Sequence, residues 1–324
     1  MKIAVTGTSG HIGNNLCRML VDQGHEVRAL VHRDTKGLEG LKAELVKGSV
    51  TSEADLAELC TGCEIVFHLA AYISIHKRDP ACLKINYESS ILLLRAARAK
   101  GVKKIIHFSS IHAYRQEPLD VELNESRDLE LHSDVTYDRS KALSQKFMME
   151  SSSDDLETVV INPTAVIGPG DFKPSLTGSA ILRLYKGIIP ALIPGGYDWV
   201  DVRDVCGAAI KAMECGVPGE CYLVGGSYQS LRDLTHEIEK LGGHRPPRLE
   251  LPFWMARIGV PFLNLHSALR KTEPLYTSVS LDTLEKSHRN IAHTKAAAAL
   301  GYNPRPFSET LADTIAWFRE HNYL

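Results

Sequence analysis

Tyr137 and Lys141 stand four residues apart in the run Tyr137-Asp138-Arg139-Ser140-Lys141, a spacing that puts both side chains on one face of a helix. A carbonyl that accepts a hydride needs a proton delivered to its oxygen. A free tyrosine, with a pKa of about 10, is a poor base at neutral pH, and a nearby ammonium favours its ionised form. A second run, Thr6-Gly7-Thr8-Ser9-Gly10-His11-Ile12-Gly13, follows the apolar Ile3-Ala4-Val5. Its three glycines permit a tight turn and close approach of backbone to a pyrophosphate, and the helix that follows supplies N–H donors and a partial positive charge. Each run alone is a weak signal. In this order they reinforce each other and predict a nicotinamide-dependent enzyme.

Such residues need a scaffold. Short apolar or β-branched runs at Ile3–Val5, Val27–Val31, Glu44–Val46, Ile65–His68, Ile105–Phe108 and Thr158–Ile161 read as buried strands. Helical patterns fall between them at Ile12–Asp22, Ala54–Cys60, Ala81–Ala99 and Tyr137–Glu150. Strand alternating with helix predicts an α/β fold with a doubly wound parallel sheet. After Pro163 the chain is broken by Gly168-Pro169-Gly170, Pro190 and Pro194-Gly195-Gly196, as expected for a smaller substrate lobe at the sheet's carboxyl edge. Val200–Val202 and Cys221–Val224 read as further strands around a helix at Asp204–Cys215, returning the chain to the sheet.

Composition narrows the partners. The 324 residues carry 37 Lys and Arg against 39 Asp and Glu, so no basic footprint for nucleic acid or an anionic membrane is expected. The apolar stretch 252–265 is shorter than the ~20 residues of a membrane span. Met1 leads straight into the first strand, which leaves no room for a signal peptide and gives a cytoplasmic location as the default. Seven scattered cysteines fit free thiols. Cys60 and Cys63 form a C-x-x-C, but no second pair completes a metal site and Thr61-Gly62 reads as a turn. No metal is expected.

The glycine spacing G-x-x-G-x-x-G resembles the extended branch of the short-chain dehydrogenase/reductase superfamily. So do His68-Leu69-Ala70-Ala71, Asn86, Ser109-Ser110 and Pro163. The stretch Ile161-Asn162-Pro163-Thr164-Ala165-Val166-Ile167-Gly168-Pro169-Gly170-Asp171, with Lys173-Pro174, resembles the dihydroflavonol reductase and 3β-hydroxysteroid dehydrogenase subgroup, and within it the hopanoid-associated sugar epimerase-like proteins. The resemblance implies a Rossmann-type NAD(P)-binding domain at 1–166 plus 199–226 and a substrate-binding lobe at 167–198 plus 227–324. It makes Tyr137 the acid/base, Lys141 its electrostatic partner and Ser110 the ligand of the substrate oxygen. It places the cofactor against Gly7, Thr8, Ser9, Gly10, His11, Ile12, Gly13, His32, Arg33, Ser49, Val50, Leu69, Ala70, Ala71, Tyr137, Lys141 and Pro163. It also implies a homodimer formed by the helices that contain Asn86 and Tyr137.

Where NAD-dependent relatives end the second strand in an acid that binds the ribose hydroxyls, this chain has His32 followed by Arg33. The expected cofactor is therefore NADP(H) over NAD(H), with Arg33 and Lys36 as phosphate partners. Ser49 stands where the family commonly has an adenine-binding Asp, and His11 replaces a frequent aromatic. Ser110-Ile111-His112 replaces the Thr-Asp-Glu of nucleotide-sugar dehydratases, which disfavours dehydration. The expected reaction interconverts a carbonyl and a secondary alcohol on a small molecule. The alternatives are a nucleotide-sugar epimerase that retains NAD and a non-catalytic nicotinamide-sensing protein. His112, Tyr114 and Arg115 are expected to face substrate without being catalytic. Tyr72–Ile75, Asp171–Tyr197 and 252–289 complete the expected pocket. Trp254, Met255, Ile258 and Phe262 read as core or interface, and Arg183, Arg270 or Arg289 as possible diphosphate partners.

Overall fold

A computed structural model describes residues 1–74, 76–270 and 277–324, with side chains throughout except at 262–270. Ile75, residues 271–276 and the Phe262 and Arg270 side chains, parts of the expected pocket, lie outside the described residues.

The apolar runs form strands β1 (Lys2–Thr6), β2 (Glu26–Val31), β3 (Glu44–Lys47), β4 (Ile65–His68), β5 (Lys104–Phe108) and β6 (Glu157–Pro163). With β10 (Cys221–Val224) they make one seven-stranded sheet in the order β10-β6-β5-β4-β1-β2-β3, parallel throughout. The helices α1 (His11–Asp22), α2 (Glu53–Cys60), the short α3 (Pro80–Cys82), α4 (Ser89–Ala99) and α5 (Thr136–Glu150) connect the strands. A π-helical turn, Leu83–Glu88, joins α3 to α4.

Two apolar layers bury the sheet. One face packs Leu16, Cys17 and Leu20 of α1 and Val205, Ala209 and Met213 of α7 (Val202–Cys215) against Ile3, Val5, Ala29 and Phe67. The other packs Leu56 and Leu59 of α2 and Leu93 and Ala97 of α4 against Ala4, Leu30, Val66 and Ile105. Alternate residues of one strand thus enter opposite layers, as a sheet covered on both faces requires.

The expected strand at Val200 lies elsewhere. Gly196–Asp201 is β9, centre of a three-stranded sheet with β7 (Ala165–Ile167) and the antiparallel β11 (Ser227–Ser230), while Val202 opens α7 with Asp201 as its cap. This sheet packs with α6 (Leu176–Tyr185), α8 (Leu231–Lys240) and α12 (Phe307–Glu320) around Trp199, Ile181, Leu234 and Leu311. A pair of strands, β8 (Ala191–Leu192) and β12 (Leu249–Glu250), lies beside it.

The helices α9 (Phe253–Arg270), α10 (Ser278–Glu285) and α11 (Thr294–Leu300) complete the described elements. On α9 the buried side is Val260 with half-buried Phe253 and Ala256, packed on Leu281 and Leu284 of α10. Trp254, Met255 and Ile258, read from the sequence as core or interface, point outward and are 63%, 42% and 61% exposed. No helix among the described residues is long and apolar enough to cross a membrane.

Candidate active site

The strand order reverses between β1 and β4, and in such sheets ligands bind outside the carboxyl ends of the strands at that reversal. Gly7 follows β1 there with φ +71°. A Cβ on Gly7 would lie 2.6 Å from Ala70 N and from Leu69 C, and one on Gly13 would lie 2.2 Å from Gly7 O. The glycines therefore let the end of β4, the turn and α1 pack backbone to backbone. Gly10 caps α1 without a side-chain hydrogen bond, and Ser9 and Gly10 are exposed. The first N–H groups of α1 are thus presented at the sheet edge, which suits a pyrophosphate.

Thr6 sets this turn. Its Oγ1 accepts from the backbone N–H groups of Leu69 and Ala70, each at 3.2 Å, and lies 2.8 Å from His68 Nδ1. Thr8 is buried and donates to Leu30 O at 2.7 Å, so its side chain holds the turn to β2. Ile12 joins the apolar layer beneath. His11 places Nε2 3.0 Å from Pro169 O, and Asn14 donates to Gly170 O at 2.9 Å, tying the glycine turn to the Gly168–Asp171 bend. His11 thus has a structural partner.

The residues expected on the adenosine side lie beyond the same edge. His32 and Arg33 are exposed past the end of β2. Lys36 leans toward the C-terminus, with Nζ 3.4 Å from the Tyr323 hydroxyl. Ser49 gives its N–H to Asp55 at 2.8 Å and shares a 2.9 Å hydroxyl contact with Thr51. Half-buried Val50 follows it, Ala71 is exposed after β4, and Pro163 ends β6 as a buried residue opposite Val224.

Ser110, Tyr137 and Lys141 meet at the end of β5. Ser110 is buried and caps a 3₁₀ turn, Ile111–Ala113, by accepting from the His112 N–H at 3.2 Å. Burial raises the pKa of the Tyr137 phenol, a hydrogen bond from the Ser110 side lowers it, and the charge of Asp138 raises it again. Lys141 is buried and donates to Phe108 O at 2.9 Å. Burial pushes its ammonium down to about 8, so its charge is weakly held.

These groups rest on buried polar side chains, of which Gln145 was not singled out by the sequence. Asn162 donates to Ser110 O at 3.0 Å and to Gln145 Oε1 at 2.6 Å, and Gln145 donates to the Tyr114 hydroxyl at 2.9 Å. Tyr114, expected to face substrate, is instead fully buried against Cys221. Asn86 brackets Tyr72, accepting from its N–H at 2.7 Å and donating to its carbonyl at 3.0 Å, and also donates to Ser140 at 2.9 Å. It joins the segment after β4 to the helix of Tyr137.

A family model described as NAD dependent epimerase/dehydratase matches residues 3–225. The chain belongs to that family. Among relatives, the "Sterol demethylase protein B" of Methylococcus capsulatus is 32% identical over the whole of both chains. A "Putative dihydroflavonol 4-reductase" of Synechocystis is 28% identical over 99% of this chain and 95% of its own. The solved structure of gox2253 superposes with a TM-score of 0.84 at 31% identity, covering 99% of each chain. These comparisons agree with the extended short-chain dehydrogenase/reductase resemblance read from the motifs.

Within this epimerase/dehydratase fold the remaining expected residues separate. Tyr72 and Arg115 are exposed and Arg183 is half-buried. Arg289 lies with its guanidinium 5.7 Å from the Tyr228 ring centroid. Cys60 and Cys63 are buried, and burial pushes the Cys60 thiol up to about 12. Among the described residues no group of three or more His, Cys, Asp or Glu could hold a metal.

The Gly13 contact makes a direct prediction. Gly13→Ala forces a methyl group onto Gly7 O and should destabilise the protein by about 1–3 kcal/mol, with nicotinamide binding weakened more than tenfold. Urea melts and cofactor titration check it; unchanged binding would contradict the packing described.

Proposed function

We propose that the protein is an NADP(H)-preferring oxidoreductase that interconverts a carbonyl and a secondary alcohol on a small organic substrate. The observation that carries the reading is the meeting of Ser110, Tyr137 and Lys141 at the carboxyl edge of β5, on the same sheet edge as the glycine turn. The relative named as a putative dihydroflavonol 4-reductase supports reduction. In this reading 1–166 with 199–226 bind the cofactor, and 167–198 with 227–324 shape the substrate side.

The backbone cradle of Gly7, Gly10 and Gly13 fits a dinucleotide, with Thr8, Ser9, His11 and Ile12 in the same turn, Leu69, Ala70, Ala71 and Pro163 along the edge, and Ser49 and Val50 toward the adenine. A bound nicotinamide supplies or accepts the hydride. Tyr137 gives its phenolic proton to the substrate oxygen in reduction and takes it back in oxidation. Ser110 orients that oxygen by hydrogen bonding. Lys141, as a cation, stabilises the tyrosinate left after proton transfer. Tyr137→Phe should lower kcat by 10²–10⁴-fold while cofactor affinity stays within about threefold. Because burial sets the Lys141 cation to titrate near about 8, NADPH oxidation should fall as pH rises through that value. A rate flat across that range would remove Lys141 from the mechanism.

Arg33, exposed past β2, offers the 2'-phosphate a cation where an acid would repel it. Arg33→Ala should lower the NADPH/NADH affinity ratio roughly tenfold, in line with about 1.4 kcal/mol for one charge-assisted contact. An unchanged ratio assigns the preference elsewhere.

The family description favours a second reading, an epimerase that retains NAD(H) through oxidation and re-reduction at one carbon. Mass analysis of nicotinamide released on denaturation separates the two: stoichiometric, tightly held NAD supports the epimerase, and loosely held cofactor with NADPH favoured supports the reductase. A homodimer through the helices of Asn86 and Tyr137 completes the proposal. Half-buried Tyr87 and Phe147 pack edge to face there, with centroids 6.2 Å apart. Phe147→Glu should convert a dimer to a monomer by light scattering.

A further inference from the structure

His112, expected from the sequence to face substrate, instead contacts Ser110, Tyr137 and the neighbouring Asp138 in the fold. Its backbone N–H donates to Ser110 Oγ at 3.2 Å. Its ring meets the Tyr137 ring edge to face, with centroids 5.7 Å apart and planes at 68°. Its Nδ1 lies 3.3 Å from Asp138 Oδ1, on the residue next to Tyr137. We propose that His112, oriented by Asp138, is a positioning residue for Ser110 and Tyr137 and that its charge state is transmitted to the phenol. This rests on the reading of Tyr137 as the acid/base and Ser110 as the ligand of the substrate oxygen.

The geometry explains why one residue can do both. The 3₁₀ turn holds the His112 backbone under the Ser110 hydroxyl, which leaves that O–H free to point at the substrate oxygen or the phenol. The same turn projects the imidazole across the first turn of α5, between the carboxylate of Asp138 and the ring of Tyr137. Pairing one ring nitrogen with a carboxylate fixes the orientation and tautomer of a histidine.

The groups that face the imidazole are Asp138 and Tyr137 from α5, while Ser110 at the end of β5 meets the His112 backbone N–H and Cys82 of α3 is coupled to both the phenol and Asp138. Burial opposes a charge on His112, but the hydrogen bond and charge of Asp138 outweigh it and raise its pKa above the ordinary histidine value. Below that raised value the imidazolium neutralises Asp138. Above it the carboxylate stands uncompensated beside Tyr137 and holds the phenolic proton more tightly, as its effect on the tyrosine pKa indicates. The pair thus adjusts the proton donor in step with pH.

The test uses the full-length protein without substrate, labelled with ¹³C at tyrosine Cζ and in the histidine rings, followed by NMR across the histidine range; Tyr137→Phe and His112→Phe assign the two signals. The expected result is a His112 midpoint above the ordinary value and a step in the Tyr137 Cζ shift at that same midpoint. Asp138→Asn should move both midpoints down together by roughly half a unit or more. His112→Phe keeps the ring contact, and His112→Asn keeps a donor toward Asp138; both should abolish the step. A Tyr137 signal that stays flat through the His112 titration, or a step that survives either His112 variant, overturns the proposal. Because the readout needs no turnover, it stands apart from whether the enzyme proves to be a reductase or an epimerase.

Discussion

The close approach of β4 to the glycine turn is the constraint on which the site depends. Gly7 can touch the backbone of Leu69 and Ala70 only because it has no Cβ and adopts φ +71°. Thr6 fixes the distance by accepting from both of those N–H groups. With two N–H groups received, its own O–H is left to donate to His68 Nδ1, which directs the Nε2 of that ring toward Ser89 on α4. One threonine thus couples the cofactor turn, the end of β4 and the helix behind it. A shift at any of these would widen the crevice proposed to hold the cofactor.

On the catalytic side the corresponding constraint is polar. Ser110 is aimed from behind, by Asn162 on its carbonyl and by the Gln145–Tyr114 pair that holds Asn162 and the 3₁₀ turn. Buried hydrogen bonds of this kind contribute about 1 kcal/mol each when made and cost about 1–3 kcal/mol when one partner is left alone. The network therefore adds little stability for its size, but it penalises any other placement of Ser110. Loop residues positioned by rigid strands and buried amides give a site its geometry.

The sheet was legible in the sequence because its strands are short β-branched runs separated by helices of apolar period, a pattern that only a two-faced parallel sheet satisfies. The glycine turn, Ser110, Tyr137 and Lys141 were expected together because their chemistry demands residue types at fixed spacing, and the fold places them along one edge of the sheet. Val200 was misread because strands of the large and small sheets carry the same apolar texture; its pairing with β7 and β11 is set in tertiary structure, which periodicity does not encode. Trp254, Met255 and Ile258 have helical spacing, but Phe253, Ala256 and Val260 have it too, and contact with Leu281 and Leu284 chose the second face. Tyr114 and His112 lie two residues apart in one turn, and only tertiary packing sends one into the core and the other to Asp138. Gln145 carries no local signal, since its partners Asn162 and Tyr114 lie 17 and 31 residues away in sequence.

A buried lysine is costly, and its surroundings decide what that cost achieves. Lys141 is held by one carbonyl, that of Phe108, and the titratable groups behind it are imidazoles. His68 is pressed down to about 3 by burial and then by the charge of Lys141, and His107 lies well below its ordinary value through burial first, then His68 and Lys141. The two rings stack with centroids 5.4 Å apart, and His107 bonds Ser144 at 2.9 Å. Both are therefore neutral across the working range of pH. A carboxylate in either place would compensate the ammonium and raise its pKa, leaving little field for Tyr137. Neutral rings fill the volume and meet the hydroxyls around them, and they leave the positive charge to be answered, in the proposed mechanism, by a tyrosinate at Tyr137. In the proposed mechanism, the same burial that draws its pKa down to about 8 leaves the field of the cation little screened for a tyrosinate at Tyr137.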